Sequence, residues 1–169
     1  AYATASLVLA DGMPIVWLSK LVRSQSQPAL PERVAGSDLF WEVGKLSQSN
    51  GVRIFLLGGK PGAADGAKEK LLEMYPDCEI CGTYCPSFED FESTEVQDEI
   101  VRQVRSASPD VLMVAFGAPK QEKWIAAYRD RLDVKLIFGA GAFFDYYGGK
   151  VQRAPKRNRE QNQAYAREP

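Results

Sequence analysis

Asp110-Val111-Leu112-Met113-Val114-Ala115-Phe116 stays apolar from its second residue to its last, with no alternation. It stops at Gly117, and Pro119 opens a stretch carrying Trp124, Ile125, Tyr128 and Leu132 at helical spacing. A strand that is apolar on both faces needs cover on both faces, which is the position of a strand in a parallel sheet between two helix layers. The same phrase recurs on either side. Upstream, Val52-Arg53-Ile54-Phe55-Leu56-Leu57 ends at Gly58-Gly59, and Pro61 opens a helical stretch to Met74 with Ala64, Ala67, Leu71 and Leu72 on one face. Downstream, Val134 to Phe138 ends at Gly139 and Gly141. Between them, Glu95 to Ala107 is amphipathic, with Val96, Ile100, Val101 and Val104 facing inward. The order βαβαβα predicts an α/β fold, a Rossmann-like parallel sheet with helices on both faces. Its strands are expected at Val52–Leu57, Asp110–Ala115 and Val134–Phe138, and its helices near 62–74, 94–107 and 119–131.

Composition narrows the function. The 169 residues are 45% hydrophobic and 25% charged, the balance of a soluble globular domain. A net charge of -1 offers no global field for nucleic acid. No apolar run approaches the roughly 18 residues of a membrane span. Histidine is absent, which excludes a His-based triad, a His metal site and a His general base and leaves acid–base chemistry to carboxylates. Cys78, Cys81 and Cys85 are spaced C-x2-C-x3-C, but three thiols without a fourth ligand read as packed thiols in a reducing cytoplasm, not as an iron–sulfur site. Neither a metal nor a cofactor is called for. Residues 1–149 are read as one α/β domain, and the opening at Ala1 without a methionine suggests that it is incomplete at its N-terminus. Residues 150–169 form a basic tail with six Lys/Arg against two Asp/Glu. Ser24 to Pro31 reads as a loop.

In doubly wound sheets, ligands bind beyond the carboxyl ends of the strands, where Gly-rich turns bring backbone N–H groups to phosphate. Three phrases end there: Leu57-Gly58-Gly59-Lys60-Pro61-Gly62, Phe116-Gly117-Ala118-Pro119-Lys120-Gln121 and Gly139-Ala140-Gly141-Ala142-Phe143. Together they predict one nucleotide-type cleft containing Gly58, Gly59, Gly117, Pro119, Gln121 and Gly141. None is a G-x-G-x-x-G or a Walker loop, so an NAD-dependent oxidoreductase lacks its fingerprint. Asp11-Gly12 follows the apolar run Ser6 to Ala10, read as a strand entering a turn. Asp11 is then either a turn residue or, in a chain without histidine, a base. Asp145 reads as structural, and Trp17, Trp41 and Trp124 as core.

These phrases add up to a resemblance. Ala10-Asp11-Gly12-Met13-Pro14-Ile15-Val16, Glu32-Arg33-Val34-Ala35-Gly36-Ser37-Asp38-Leu39 and Phe55-Leu56-Leu57-Gly58-Gly59 resemble the opening motifs of the WecG/TagA/CpsF glycosyltransferases. Gly117-Ala118-Pro119-Lys120-Gln121-Glu122-Lys123-Trp124-Ile125 resembles the most specific signature of that family. Gly139-Ala140-Gly141-Ala142-Phe143-Phe144-Asp145 and Arg153-Ala154-Pro155 continue the likeness in order.

The resemblance implies an inverting glycosyltransferase that moves N-acetylmannosamine or a related hexose from a UDP-sugar to a lipid-diphosphate-linked saccharide, in the synthesis of bacterial cell-surface polysaccharide. It implies Asp11 as base, with Arg33 and Gln121 in the catalytic set. Gly58, Gly59, Gly117, Pro119, Glu122, Gly139, Gly141 and Arg153 are expected to bind substrate, without metal. The partners it implies are the UDP-sugar donor, the lipid-linked acceptor, an anionic membrane surface met from the cytoplasm, and a second copy of the chain. Two departures stand out: the family's N-terminal T-x-N phrase is missing, and the tail is polar where the family is aromatic and Leu-rich. The reading from a different class is a non-catalytic nucleotide-sugar-binding or assembly subunit, which would keep the cleft and not need Asp11 as a base.

Overall fold

The computed structural model describes residues 2–24, 28–87, 89–141 and 143–147. After a 3-10 turn at Tyr2–Thr4 come α1 (Met13–Leu21) and α2 (Gly36–Asn50). Then follow β1 (Ile54–Gly58), α3 (Ala63–Met74), β2 (Ile80–Tyr84), α4 (Thr94–Ala107) and β3 (Val111–Ala115). The described chain closes with α5 (Lys120–Tyr128), a 3-10 turn at Arg129–Arg131, β4 (Leu136–Gly139) and α6 (Phe143–Tyr147). The four strands form one sheet in the order β2-β1-β3-β4, and every pair is parallel.

The apolar runs form the centre of this sheet because only there are both faces covered. All five residues of β1 and of β3 are buried, whereas β4 is only half-covered. Side chains alternate between two cores. Ile54, Leu56 and Met113 pack with Phe40 of α2, Leu71 of α3 and Phe144 of α6. Phe55, Leu57 and Leu112 pack with Ile100 and Val104 of α4 and Trp124 of α5. Truncating such a fully buried leucine to alanine typically costs about 2–5 kcal/mol. Two buried polar groups join α4 to α5: Gln97 donates to the Phe91 carbonyl and accepts from Trp124 Nε1 at 2.6 Å. Ser93 caps α4, its hydroxyl accepting from Val96 N–H at 3.2 Å.

Four expectations shift. The strand boundaries move by one to two residues toward the carboxyl end, to Ile54–Gly58 and Leu136–Gly139. Ser6 to Ala10 carries no strand; among the described residues its one backbone bond to another segment is Val34 N–H to the Ala10 carbonyl at 3.0 Å, and a strand needs a full ladder. Leu7 and Val8 stand 73% and 60% exposed in consequence. The Asp11-Gly12 turn leads directly into α1, with Pro14 in the first turn, where its missing N–H costs nothing. Trp17, expected in the core, is 43% exposed on α1, while Trp124 is buried and Trp41 half-buried.

Candidate active site

The carboxyl ends of β1, β3 and β4 lie on one edge of the sheet, as parallel pairing requires. Among the described residues two cavities open there. The larger, about 470 Å³, is walled by Asp11, Val34 and Gly36, by Ala118, Gln121, Glu122 and Arg129, by Ile137 to Gly141, and by Leu7 to Leu9. The smaller, about 190 Å³, is walled by Asp11, Ser37, Ala140, Gly141, Phe143, Tyr146 and Tyr147. Asp11, Ala140 and Gly141 belong to both walls, so a single exposed carboxylate borders both volumes.

The local folding behind this is explicit. The Val34–Ala10 bond lays the Asp11 segment beside the Arg33 segment, and Ala35 caps α2 immediately after it. Gln121, buried in the first turn of α5, accepts from Gly141 N–H at 3.0 Å and donates from Nε2 to Glu122 Oε1 at 3.0 Å. A side chain on Gly139 would stand 2.6 Å from that Nε2, so a Cβ there would push the Gln121 amide out of this position. Glu122 Oε2 is out of solvent contact and has no hydrogen-bond partner.

Of the sequence-predicted residues, the structure therefore gathers Asp11, Gln121, Glu122, Gly139 and Gly141 on one wall. Gly58, Gly59, Gly117 and Pro119 share the sheet edge but are not part of that wall, where Ala118 and Gln121 represent the second phrase. The reason for Gly58-Gly59 is α6. A side chain on Gly59 would meet Phe144 Cβ at 3.3 Å, and Asp145 Oδ1 accepts from Lys60 N–H at 3.0 Å, which fastens α6 over this turn. Arg33 is also off the wall; its guanidinium faces Asp38 at 4.0 Å, a half-exposed pair that contributes about 0–1 kcal/mol. Arg153 lies outside the described residues.

Several amides of the Gly-rich turns are held within the fold. Gly59 N–H donates to the Ala115 carbonyl at 2.8 Å, Ala140 N–H to Val114 at 2.6 Å, and Gly141 N–H to Gln121. Lys60 N–H is taken by Asp145. These four donors are committed inside the fold and are not offered to an anionic ligand. Ser37, Arg129 and Tyr146 are not among the sequence-predicted site residues, although Ser37 lies within a quoted motif and Tyr146 directly follows one. The cysteines belong to the fold: Cys81 Sγ donates to the Ile54 carbonyl at 3.2 Å and Cys85 Sγ to Gly59 at 3.1 Å. Burial pushes all three thiols above their ordinary pKa, which keeps them protonated near neutrality.

The sequence matches known proteins along nearly the whole chain. The family model described as Glycosyl transferase WecG/TagA/CpsF family matches residues 1–163. The chain is 33% identical over 155 residues to the N-acetylglucosaminyldiphosphoundecaprenol N-acetyl-beta-D-mannosaminyltransferase of Bacillus subtilis (strain 168). It is 30% identical to proteins of the same name from Staphylococcus aureus (strain MRSA252), over 151 residues, and Bacillus spizizenii, over 153. These alignments cover 89–90% of this chain and 56% of each relative, so the chain spans about half the length of the curated relatives it matches.

Proposed function

This chain belongs to the WecG/TagA/CpsF glycosyl transferase family, and on that footing we propose that it carries the transfer site of an inverting glycosyltransferase. The donor is a UDP-sugar, N-acetylmannosamine or a related hexose being transferred, and the acceptor is a saccharide on a lipid diphosphate. The observation that supports this most is Asp11, whose carboxylate borders both the 470 Å³ and the 190 Å³ cavity. A base for glycosyl transfer has to face an acceptor on one side and the donor's anomeric carbon on the other.

In the step we propose, Asp11 takes the proton of the acceptor hydroxyl as its oxygen attacks the anomeric carbon. The new carbon–oxygen bond forms on one face while the bond to the diphosphate oxygen breaks on the other. The electron pair leaves with UDP, and the configuration inverts. The leaving diphosphate needs cationic neighbours. Arg33 and Lys60 at the sheet edge and the basic residues of 150–169, Arg153 among them, are the candidates. The same basic segment suits an anionic membrane surface, since each Lys or Arg close to one contributes about 1 kcal/mol. Among the described residues no helix is long and apolar enough to cross a membrane.

The test is release of UDP from a panel of UDP-sugars, with and without a lipid-diphosphate N-acetylglucosamine acceptor. Acceptor-dependent release, strongest with UDP-N-acetylmannosamine, is the expected result. Tight donor binding with no turnover on any acceptor would instead identify a non-catalytic nucleotide-sugar-binding subunit.

A further inference from the structure

The wall of the larger cavity separates its charges. Its two carboxylates stand at one end: Asp11 shares both cavity walls with Gly141, and Glu122 accepts from the Gln121 amide that holds Gly141. Among the described residues of the wall, Arg129 is the only cation. It follows Gln121 by eight residues, at the far end of α5, which is about 12 Å along a helix. Arg129 Nη1 donates to the Thr4 carbonyl at 2.6 Å, and Nε faces Asp130 at 3.6 Å. The carbonyl orients the guanidinium without cancelling its charge. The Asp130 side chain is 90% exposed, so water screens that pair. The cavity therefore ends in an oriented guanidinium whose positive charge nothing in the wall beside it neutralises.

We propose that the larger cavity takes the acceptor, and that Arg129 is the substrate-binding residue that holds the acceptor's diphosphate. This rests on the glycosyl-transfer reading above. In an inverting transfer the acceptor attacks the anomeric carbon on the face opposite the leaving diphosphate. The donor's diphosphate and the acceptor's therefore lie on opposite sides of the reacting centre. The acceptor is neutral at its attacking hydroxyl and anionic beyond its own anomeric oxygen, and the cavity has the matching polarity. Carboxylates at the Asp11 end repel a diphosphate, and the guanidinium at the other end attracts one. A span of about 12 Å suits a hydroxyl, a hexose ring and the phosphates beyond it. A guanidinium can also hold two phosphate oxygens through paired N–H donors. Leu7 and Val8 of the same wall, 73% and 60% exposed, give the start of the lipid chain an apolar border.

The experiment is calorimetric titration of wild type, Arg129→Gln and Arg129→Lys with UDP and with two acceptor probes. One probe is N-acetylglucosamine joined through a diphosphate to a short prenyl chain. The other is octyl N-acetylglucosaminide, which has the sugar and an apolar tail but no diphosphate. Arg129→Gln should weaken the diphosphate acceptor about tenfold or more, the effect of losing charge-assisted hydrogen bonds. It should leave octyl N-acetylglucosaminide and UDP within about twofold. Arg129→Lys should recover part of the loss, because it keeps the charge without the paired donors. Equal weakening of the two acceptor probes overturns the proposal, since Arg129 would then act only through the Thr4 carbonyl on the shape of the wall. Weakening of UDP as large as that of the diphosphate acceptor also overturns it, and so does no weakening at all. Each of these results leaves the glycosyltransferase reading standing. Wild type that binds neither UDP nor the diphosphate acceptor overturns both readings together.

Discussion

Gly139 shows how one hydrogen atom in place of a side chain sets the site. Its backbone needs no left-handed conformation; what it needs is room, because a Cβ there would sit 2.6 Å from Gln121 Nε2. Gly139→Ala should displace the Gln121 amide from Gly141 and Glu122, and so lower stability by about 1–3 kcal/mol. Its effect on activity should match that of Gln121→Ala, and the double variant should be little worse than either, because all three break one unit. Chemical melts and turnover of the two single variants and the double check this; additive losses would show that the two residues act separately. Asp11 and Gln121 were legible in the sequence, one as the only kind of base available without histidine and both as motif residues. The commitment of the Gly59, Ala140 and Gly141 amides was not. It depends on which carbonyl or side chain approaches each turn, and Ala115, Val114 and Gln121 lie 20 to 56 residues away in sequence.

At the scale of elements, the close contact of α2 with α3 decides a prediction against helix propensity. Alanine in place of glycine within a helix ordinarily stabilises by about 1 kcal/mol. At Gly44, however, a Cβ would come within 2.5 Å of Leu71 Cδ2 and 2.9 Å of the Tyr75 ring, and Leu71 is fully buried with nowhere to move. Overpacking of about 1–3 kcal/mol wins, so Gly44→Ala should destabilise the chain in thermal or denaturant melts. At the edge of the sheet away from the site, Asp110 joins three strands. Its carboxylate accepts from Arg53 N–H at 3.0 Å and pairs with Lys135 at 2.7 Å. The Arg53 N–H and then the Lys135 ammonium hold the Asp110 carboxyl below its ordinary pKa, and Asp110 in turn raises Lys135. The stability Asp110 contributes is present above the carboxylate's unfolded value and lost as pH falls through its lowered value. Asp110→Asn should therefore melt below wild type at pH 7, and the gap should close in acid; a gap independent of pH would assign the effect to packing. The central strands were readable because β1 and β3 are apolar on both faces. Ser6–Ala10 looked equally strand-like, but apolar composition does not supply a pairing partner, and among the described residues it has none.

For the whole molecule, the parallel sheet brings the ends of β3 and β4 and the segments around Asp11 and Ser37 to one edge, where a carboxylate borders two cavities. That juxtaposition is a property of topology, which the βαβ order announced; the division into two volumes is a property of packing, which it did not. The central claim is that Asp11 acts on the reaction and not on binding or folding. It is tested most directly by measuring, on the same preparations, the turnover of wild type and Asp11→Asn with a lipid-diphosphate acceptor and their affinity for UDP-N-acetylmannosamine. Removing a general base costs about 10²–10⁴ in rate, so turnover should fall by that factor while affinity stays within about threefold. Undiminished turnover in Asp11→Asn, or a loss of affinity as large as the loss of rate, would contradict the account.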